Sequence, residues 1–127
     1  MSELYFLLLS VGLCIILWLP YTLERILNWG LLDTVGFPDN PPSQAKWALR
    51  LKAAHYNMIE NIVPFAILIF LLHAMEISNS QTLLGASMFF YGRVGHAICH
   101  ALAIPWLRTA GFLASWLGMF IIFLNLI

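Results

Sequence analysis

The sequence predicts an all-α fold: a polytopic membrane protein built as one four-transmembrane-helix bundle. Three observations carry that prediction. Of the 127 residues, 61% are hydrophobic and 9% are charged, against ~45–50% and ~25% in ordinary soluble domains. The apolar residues gather into four runs, each close to the ~20 residues that cross a ~30 Å hydrocarbon core. Lysine and arginine fall in some of the connections between runs and are missing from others. With 6 basic and 6 acidic side chains, the chain can neither coat a water-soluble globule with charge nor present the basic excess that nucleic acid requires. Cys14 and Cys99 both lie inside apolar runs, so there is no disulfide framework and no CxxC motif.

The first run covers residues 4–23, LYFLLLSVGLCIILWLPYTL, with no charge inside it. A secretory signal would open on positive residues and close on a small-residue cleavage site. Here Glu3 precedes the run and Arg25 follows it, so it is expected to stay as the first helix. Residues 25–52 form the long connection, and its GFPDNPPS cluster cannot continue a helix. The remaining helices are expected at residues 53–75, 82–104 and 109–127, with short links at 76–81 and 105–108 that make them successive antiparallel neighbours. One domain, 1–127, accounts for the chain. Tyr5, Trp18, Tyr21 and Trp106 sit near run ends, as interfacial anchors do. Phe89, Phe90, Trp116, Phe120 and Phe123 read as lipid-facing or packing residues. Gly92, Gly95, Ala110, Gly111, Ala114, Ser115 and Gly118 permit close helix contacts. Arg25, Lys46, Arg50 and Lys52 mark the first connection and Arg108 the third, while the second connection and both termini carry no Lys or Arg. The positive-inside rule therefore places connections one and three in the cytoplasm and both termini on the far side.

Polar residues inside the runs need a reason, because a charge near the bilayer centre costs at least ~2.5–3.5 kcal/mol on insertion scales. The second run holds His55, Asn57 and Glu60; the third holds Arg93, His96 and His100. Asn57 and Glu60 are one helical turn apart, and Arg93, His96 and His100 share a face at i, i+3, i+7. At ~1.5 Å per residue, Asn57 and Glu60 lie roughly 6–10 Å inside the cytoplasmic boundary, and His100, His96 and Arg93 about 6, 12 and 17 Å. The two sets overlap in depth. Pro64 leaves the Glu60 carbonyl without its helical donor and is expected to kink the second helix there.

Glu60 and Arg93 admit a structural reading, an ion pair tying two helices together, and each histidine alone could be a packing residue. Their common face and depth favour a site. His96-x-x-x-His100 is a poor metal motif, because histidine-rich membrane oxygenases need more than the 4 histidines present and Arg93 would repel a cation. Arg93 and Arg108 instead suit an anionic ligand: guanidinium binds carboxylate bidentately and can hold a thiolate by charge, and Glu60 can take an ammonium. Arg108 is expected at the start of the fourth helix, where free N–H groups and the positive dipole end add to its field.

The runs RLKAAHYNMIENIVPF (50–65) and YGRVGHAICHALAIPWLRTAGF (91–112) resemble the MAPEG superfamily, the membrane-associated proteins in eicosanoid and glutathione metabolism, and bacterial-type members resembling microsomal glutathione transferases in particular. The strongest likeness is in AH-x-N-x-x-E-x-x-x-P-F and GRV-x-H, and WLPYTLER looks like the end of the first helix in bacterial members. The resemblance implies a homotrimer in a bacterial inner membrane, with glutathione as ligand or substrate bound between subunits near the cytosolic face. It implies His55, Asn57, Glu60, Arg93, His96, His100 and Thr109 as glutathione-binding positions and Arg108 as the catalytic residue; Arg25 matches an arginine of the first helix. It implies a transferase- or peroxidase-like activity on a lipophilic electrophile or hydroperoxide from the bilayer. The alternative is a non-enzymatic small subunit held together by Glu60 and Arg93. Three positions depart from the family pattern: Tyr56 stands where several catalytic relatives have Arg, and His100 and Phe112 where relatives often carry Tyr. Phe112 cannot donate a hydrogen bond to a thiolate.

Overall fold

The computed structural model describes residues 2–127, and among them every regular element is a helix. In chain order these are α1 (Glu3–Ile16), α2 (Trp18–Trp29), α3 (Leu31–Val35), α4 (Lys46–Ala74), α5 (Ser80–Ala101) and α6 (Pro105–Leu126). The Ser2 hydroxyl caps α1 by accepting from the Tyr5 N–H at 3.2 Å. α1 runs into α2 through Leu17, which keeps right-handed helical angles and donates its N–H to the Leu13 carbonyl. Pro20, which offers no N–H to the Ile16 carbonyl, accounts for the seam.

Among the described residues, three helices are long and apolar enough to cross a membrane: Glu3–Trp29, Lys46–Ala74 and Pro105–Leu126. α5 matches α6 in length, but its arginine, histidines and glycines lower its hydropathy.

Element ends differ from the sequence expectation for identifiable reasons. α4 starts at Lys46 instead of residue 53. Its first turns, KWALRLKAAHYN, are amphipathic: Ala48, Leu51, Ala54, His55 and Met58 are buried at helical spacing while Lys46, Trp47 and Leu49 are exposed. Charge in that stretch belongs to a helix, not a loop. The connection therefore shrinks to residues 30–45, with α3 inside it. α5 begins at a reciprocal capping box between Asn79 and Thr82 and ends at Ala101, before Ala103 takes a positive φ of 59°. α6 starts at Pro105 instead of residue 109, since proline is well suited to the first helical position. α4 continues through Pro64 as helix.

The bundle has two stacked cores. One joins Phe6, Phe65, Ile69, Leu72, Phe89 and Ile122, with Phe65 and Phe89 rings stacked at 3.8 Å. The other joins Leu17, Tyr21, Ala48, Leu51, Met58 and Ala97. α5 and α6 form the most extensive helix pair, because their glycines let the backbones touch. A Cβ on Gly92 would lie 2.8 Å from the Gly111 carbonyl oxygen, and one on Gly85 would lie 2.6 Å from that of Gly118. These small residues are consumed within one chain; only Gly95 among the expected glycines faces open space. Phe89 is fully buried, whereas Trp116, Phe120 and Phe123 form a stacked, exposed stripe on α6.

Candidate functional site

α4 and α5 cross so that Asn57 meets Arg93. The Arg93 Nη1 donates to Asn57 Oδ1 at 2.5 Å, and the side chain is 1% exposed. Phe89 and Phe112 lie beneath the guanidinium at 5.6 and 5.2 Å from their ring centres. Arg93 Nε and Nη2 are buried and have no hydrogen-bond partner. A buried guanidinium with two unanswered donors is expensive, and the aromatic faces answer only part of that cost.

One turn on, His96 is buried, and its ring meets His100 edge-on at 5.4 Å and Phe112 at 6.2 Å. His100 Nδ1 is a third buried group without a partner. Arg50 had signalled only orientation in the sequence; here its Nε donates to the Ala101 carbonyl at 3.2 Å, closing the negative C-terminal end of α5. Its signal was the RLKAAH run being helical instead of loop.

Glu60, Arg108 and Thr109 are exposed, and Asn57 is half-buried. Among the described residues Glu60 does not bridge to Arg93, whose one side-chain hydrogen bond goes to Asn57; the ion pair considered as a structural tie is not formed there. Arg108 lies in the first turn of α6, with its own N–H on the Ile104 carbonyl at 3.0 Å. The free N–H groups are therefore those of Trp106 and Leu107, a turn earlier than expected. The Thr109 hydroxyl donates to the Pro105 carbonyl at 3.1 Å.

His55 stands apart from this group. Its Nε2 lies 2.8 Å from the Cys14 carbonyl and its Nδ1 lies 2.7 Å from the Tyr21 hydroxyl. The carbonyl can only accept, so Nε2 carries the proton and Tyr21 donates to Nδ1. Both ring nitrogens are used, and His55 locks α4 against the α1–α2 rod with none left for a ligand. Tyr21 is accordingly a buried core residue and not an interfacial anchor.

The arrangement is thus a basic cluster: a buried, under-bonded arginine and two histidines on one face of α5, with Glu60 of α4 and Arg108 and Thr109 of α6 exposed on the neighbouring helices. Comparison with curated proteins gave no match, and comparison with solved structures gave none. The profile of the MAPEG family matches residues 7–127, which takes in every residue of the cluster and all six helices except the opening turn of α1. The chain belongs to the MAPEG family, membrane-associated proteins in eicosanoid and glutathione metabolism, and is a multi-pass integral membrane protein.

Proposed function

We propose that the chain binds glutathione at this cluster and works as a transferase- or peroxidase-like enzyme on lipophilic electrophiles or hydroperoxides. The observation that carries the proposal is Arg93, buried with Nε and Nη2 unanswered. A carboxylate of the tripeptide would accept from both donors and neutralise the charge where water does not. Glu60 would take the ammonium, while Asn57, His96, His100 and Thr109 supply hydrogen bonds. His55 acts through α4, holding Asn57 at its depth. The exposure of Glu60, Arg108 and Thr109 in a single chain supports a cluster walled by a neighbour in a homotrimer. α5 would be a fourth crossing: its 22 residues reach ~33 Å, and Arg93 and His96 are turned away from lipid. The basic residues at this end support a cytosolic face there, with both termini periplasmic in a bacterial inner membrane.

Free thiols titrate near ~8.5, so a permanent charge beside the sulfur raises the reactive thiolate fraction at neutral pH. Arg108 fills that role. In conjugation, sulfur donates its electron pair to carbon and the leaving group departs with its own. With a hydroperoxide, sulfur takes the terminal oxygen, the O–O bond breaks and the alcohol leaves. A second glutathione then converts the sulfenic acid to disulfide and water. Detergent-solubilised protein should bind glutathione saturably and show a thiolate absorbance on mixing. Removing the exposed Arg108 charge, in Arg108→Ala, should cut that absorbance roughly tenfold near neutral pH, equivalent to about one pKa unit. Arg108→Lys should retain much of it. Absence of saturable binding refutes the proposal; an unchanged thiolate signal in Arg108→Ala removes Arg108 from the role.

A further inference from the structure

The connection between α2 and α4 is fastened at its base and apolar at its outer edge. Asn28 donates its side-chain N–H to the Ser43 carbonyl. Glu24 accepts from the Gln44 side chain at 3.0 Å and from the Ala45 N–H at 3.2 Å, capping the start of α4 with a carboxylate at its positive end. Gly30, at φ 85°, takes the backbone out of the α2 helix in a conformation that side-chain-bearing residues avoid. Beyond this clasp Leu27, Leu31, Leu32, Val35 and Phe37 are exposed, Leu32 at 84% and Phe37 completely. Exposure of five large apolar side chains within residues 27–37 marks a contact surface.

Depth identifies the contact. The Glu3–Trp29 rod has 27 residues, ~40 Å of helix against a ~30 Å hydrocarbon core and ~40–45 Å with headgroups. Its last turn therefore ends at headgroup level, where Arg25 lies 4.8 Å above the Trp29 ring, a pairing suited to that zone. The clasp holds the loop at the same level. We propose that residues 27–37 lie in the bilayer surface as an interfacial anchor, apolar side chains in the acyl boundary, instead of standing in the cytosol. Residues 27–45 hold two acidic and no basic side chains, Asp33 and Asp39 being the acidic pair. Insertion is therefore driven by apolar contact and needs no anionic lipid.

Full-length chains carrying Leu32→Cys, Phe37→Cys or Asp39→Cys, each with Cys14→Ala and Cys99→Ala, can be labelled with an environment-sensitive fluorophore in phosphatidylcholine vesicles. Lipids bearing a nitroxide near the headgroup should quench the labels at positions 32 and 37 at least twofold, while aqueous iodide quenches only the label at 39. Adding phosphatidylglycerol should leave the pattern unchanged. Iodide quenching at 32 and 37 without lipid quenching puts the loop in water and overturns the proposal. Protection from both quenchers puts it against protein, a second copy included, and also overturns it. The unsubstituted chain gives an independent reading: a lipid with a headgroup-level photoreactive group should crosslink peptides from residues 27–37, and failure to do so overturns the proposal.

Discussion

The two ends of α5 carry polar clusters of opposite design. At its start, the Glu3 carboxylate is 7% exposed, yet it accepts from Thr82 Oγ1 at 2.5 Å and from Ser78 Oγ at 2.9 Å. Asn79 and Thr82 cap the helix reciprocally, and Asn125 joins Asn79 to Gln81. At its end, Arg93 has one bond for three nitrogens, and His100 has a buried nitrogen without a partner. A buried polar network that is fully answered holds helices together; one left short costs stability and is kept for what completes it. The first cluster is a fastening; the second is the one proposed to bind.

The sharpest way to break that contrast is to empty the second cluster. Arg93→Met removes the donors and the charge while keeping an unbranched chain between Phe89 and Phe112. Two charge-assisted hydrogen bonds at about 1.5–3 kcal/mol each amount to a glutathione Kd raised at least ~100-fold, measured by calorimetry on solubilised protein. Thermal stability should not fall, because the wild type already bears the cost of the buried charge. Unchanged affinity with a large loss of stability would make Arg93 a structural residue.

Glu3→Ala is the reciprocal change. It removes the carboxylate that Thr82 and Ser78 share and unties α1 from α5, for an expected loss of about 2–3 kcal/mol in detergent denaturation. Glutathione affinity should be unaltered. Weakened binding instead would mean that the two ends are coupled through α5.

How much of this was legible in the sequence differs between the ends for the same physical reason. Charges inside apolar runs are conspicuous, so Asn57, Arg93, His96 and His100 stood out, and helical spacing placed them on facing surfaces. Glu3 escaped notice because a carboxylate before an apolar run looks like an ordinary end. Spacing also could not say which partner Arg93 takes; Asn57 and Glu60 share a face, and only the crossing of α4 and α5 selects Asn57. His55 was indistinguishable from the site histidines, since its partners, the Cys14 carbonyl and Tyr21, lie on another helix rod far away in sequence. Hydropathy runs overlap the α1–α2 rod, α4, α5 and α6 but miss the short α3, and they set α4 seven residues late because its amphipathic extension carries Lys46, Arg50 and Lys52.

His55 supplies a test inside a single residue type. Tyr21→Phe leaves the Nδ1 of His55 buried without a donor and should cost about 1–2 kcal/mol of stability. Glutathione affinity and thiolate absorbance should stay unchanged. His100 should behave in the opposite way: His100→Phe loses affinity and little stability. A Tyr21→Phe chain with wild-type stability but impaired binding would put His55 back among the ligand contacts.

Glu60 gives the smallest expected effect, and it separates charge contact from burial. It is exposed in the single chain, and a solvent-exposed ion pair with an ammonium contributes about 0.2–1 kcal/mol. Glu60→Gln should therefore weaken glutathione binding only ~2–5-fold, with the loss shrinking further as salt screens the pair. Thiolate absorbance at saturating glutathione should not change, because Glu60 acts on the opposite end of the ligand from Arg108. A loss as large as that of Arg93→Met would mean that Glu60 is buried when the protein is assembled, since an unpaired buried charge costs far more than a surface one. That outcome would place a second subunit over Glu60, and the exposed rim of the cluster would have to be redrawn as an interior.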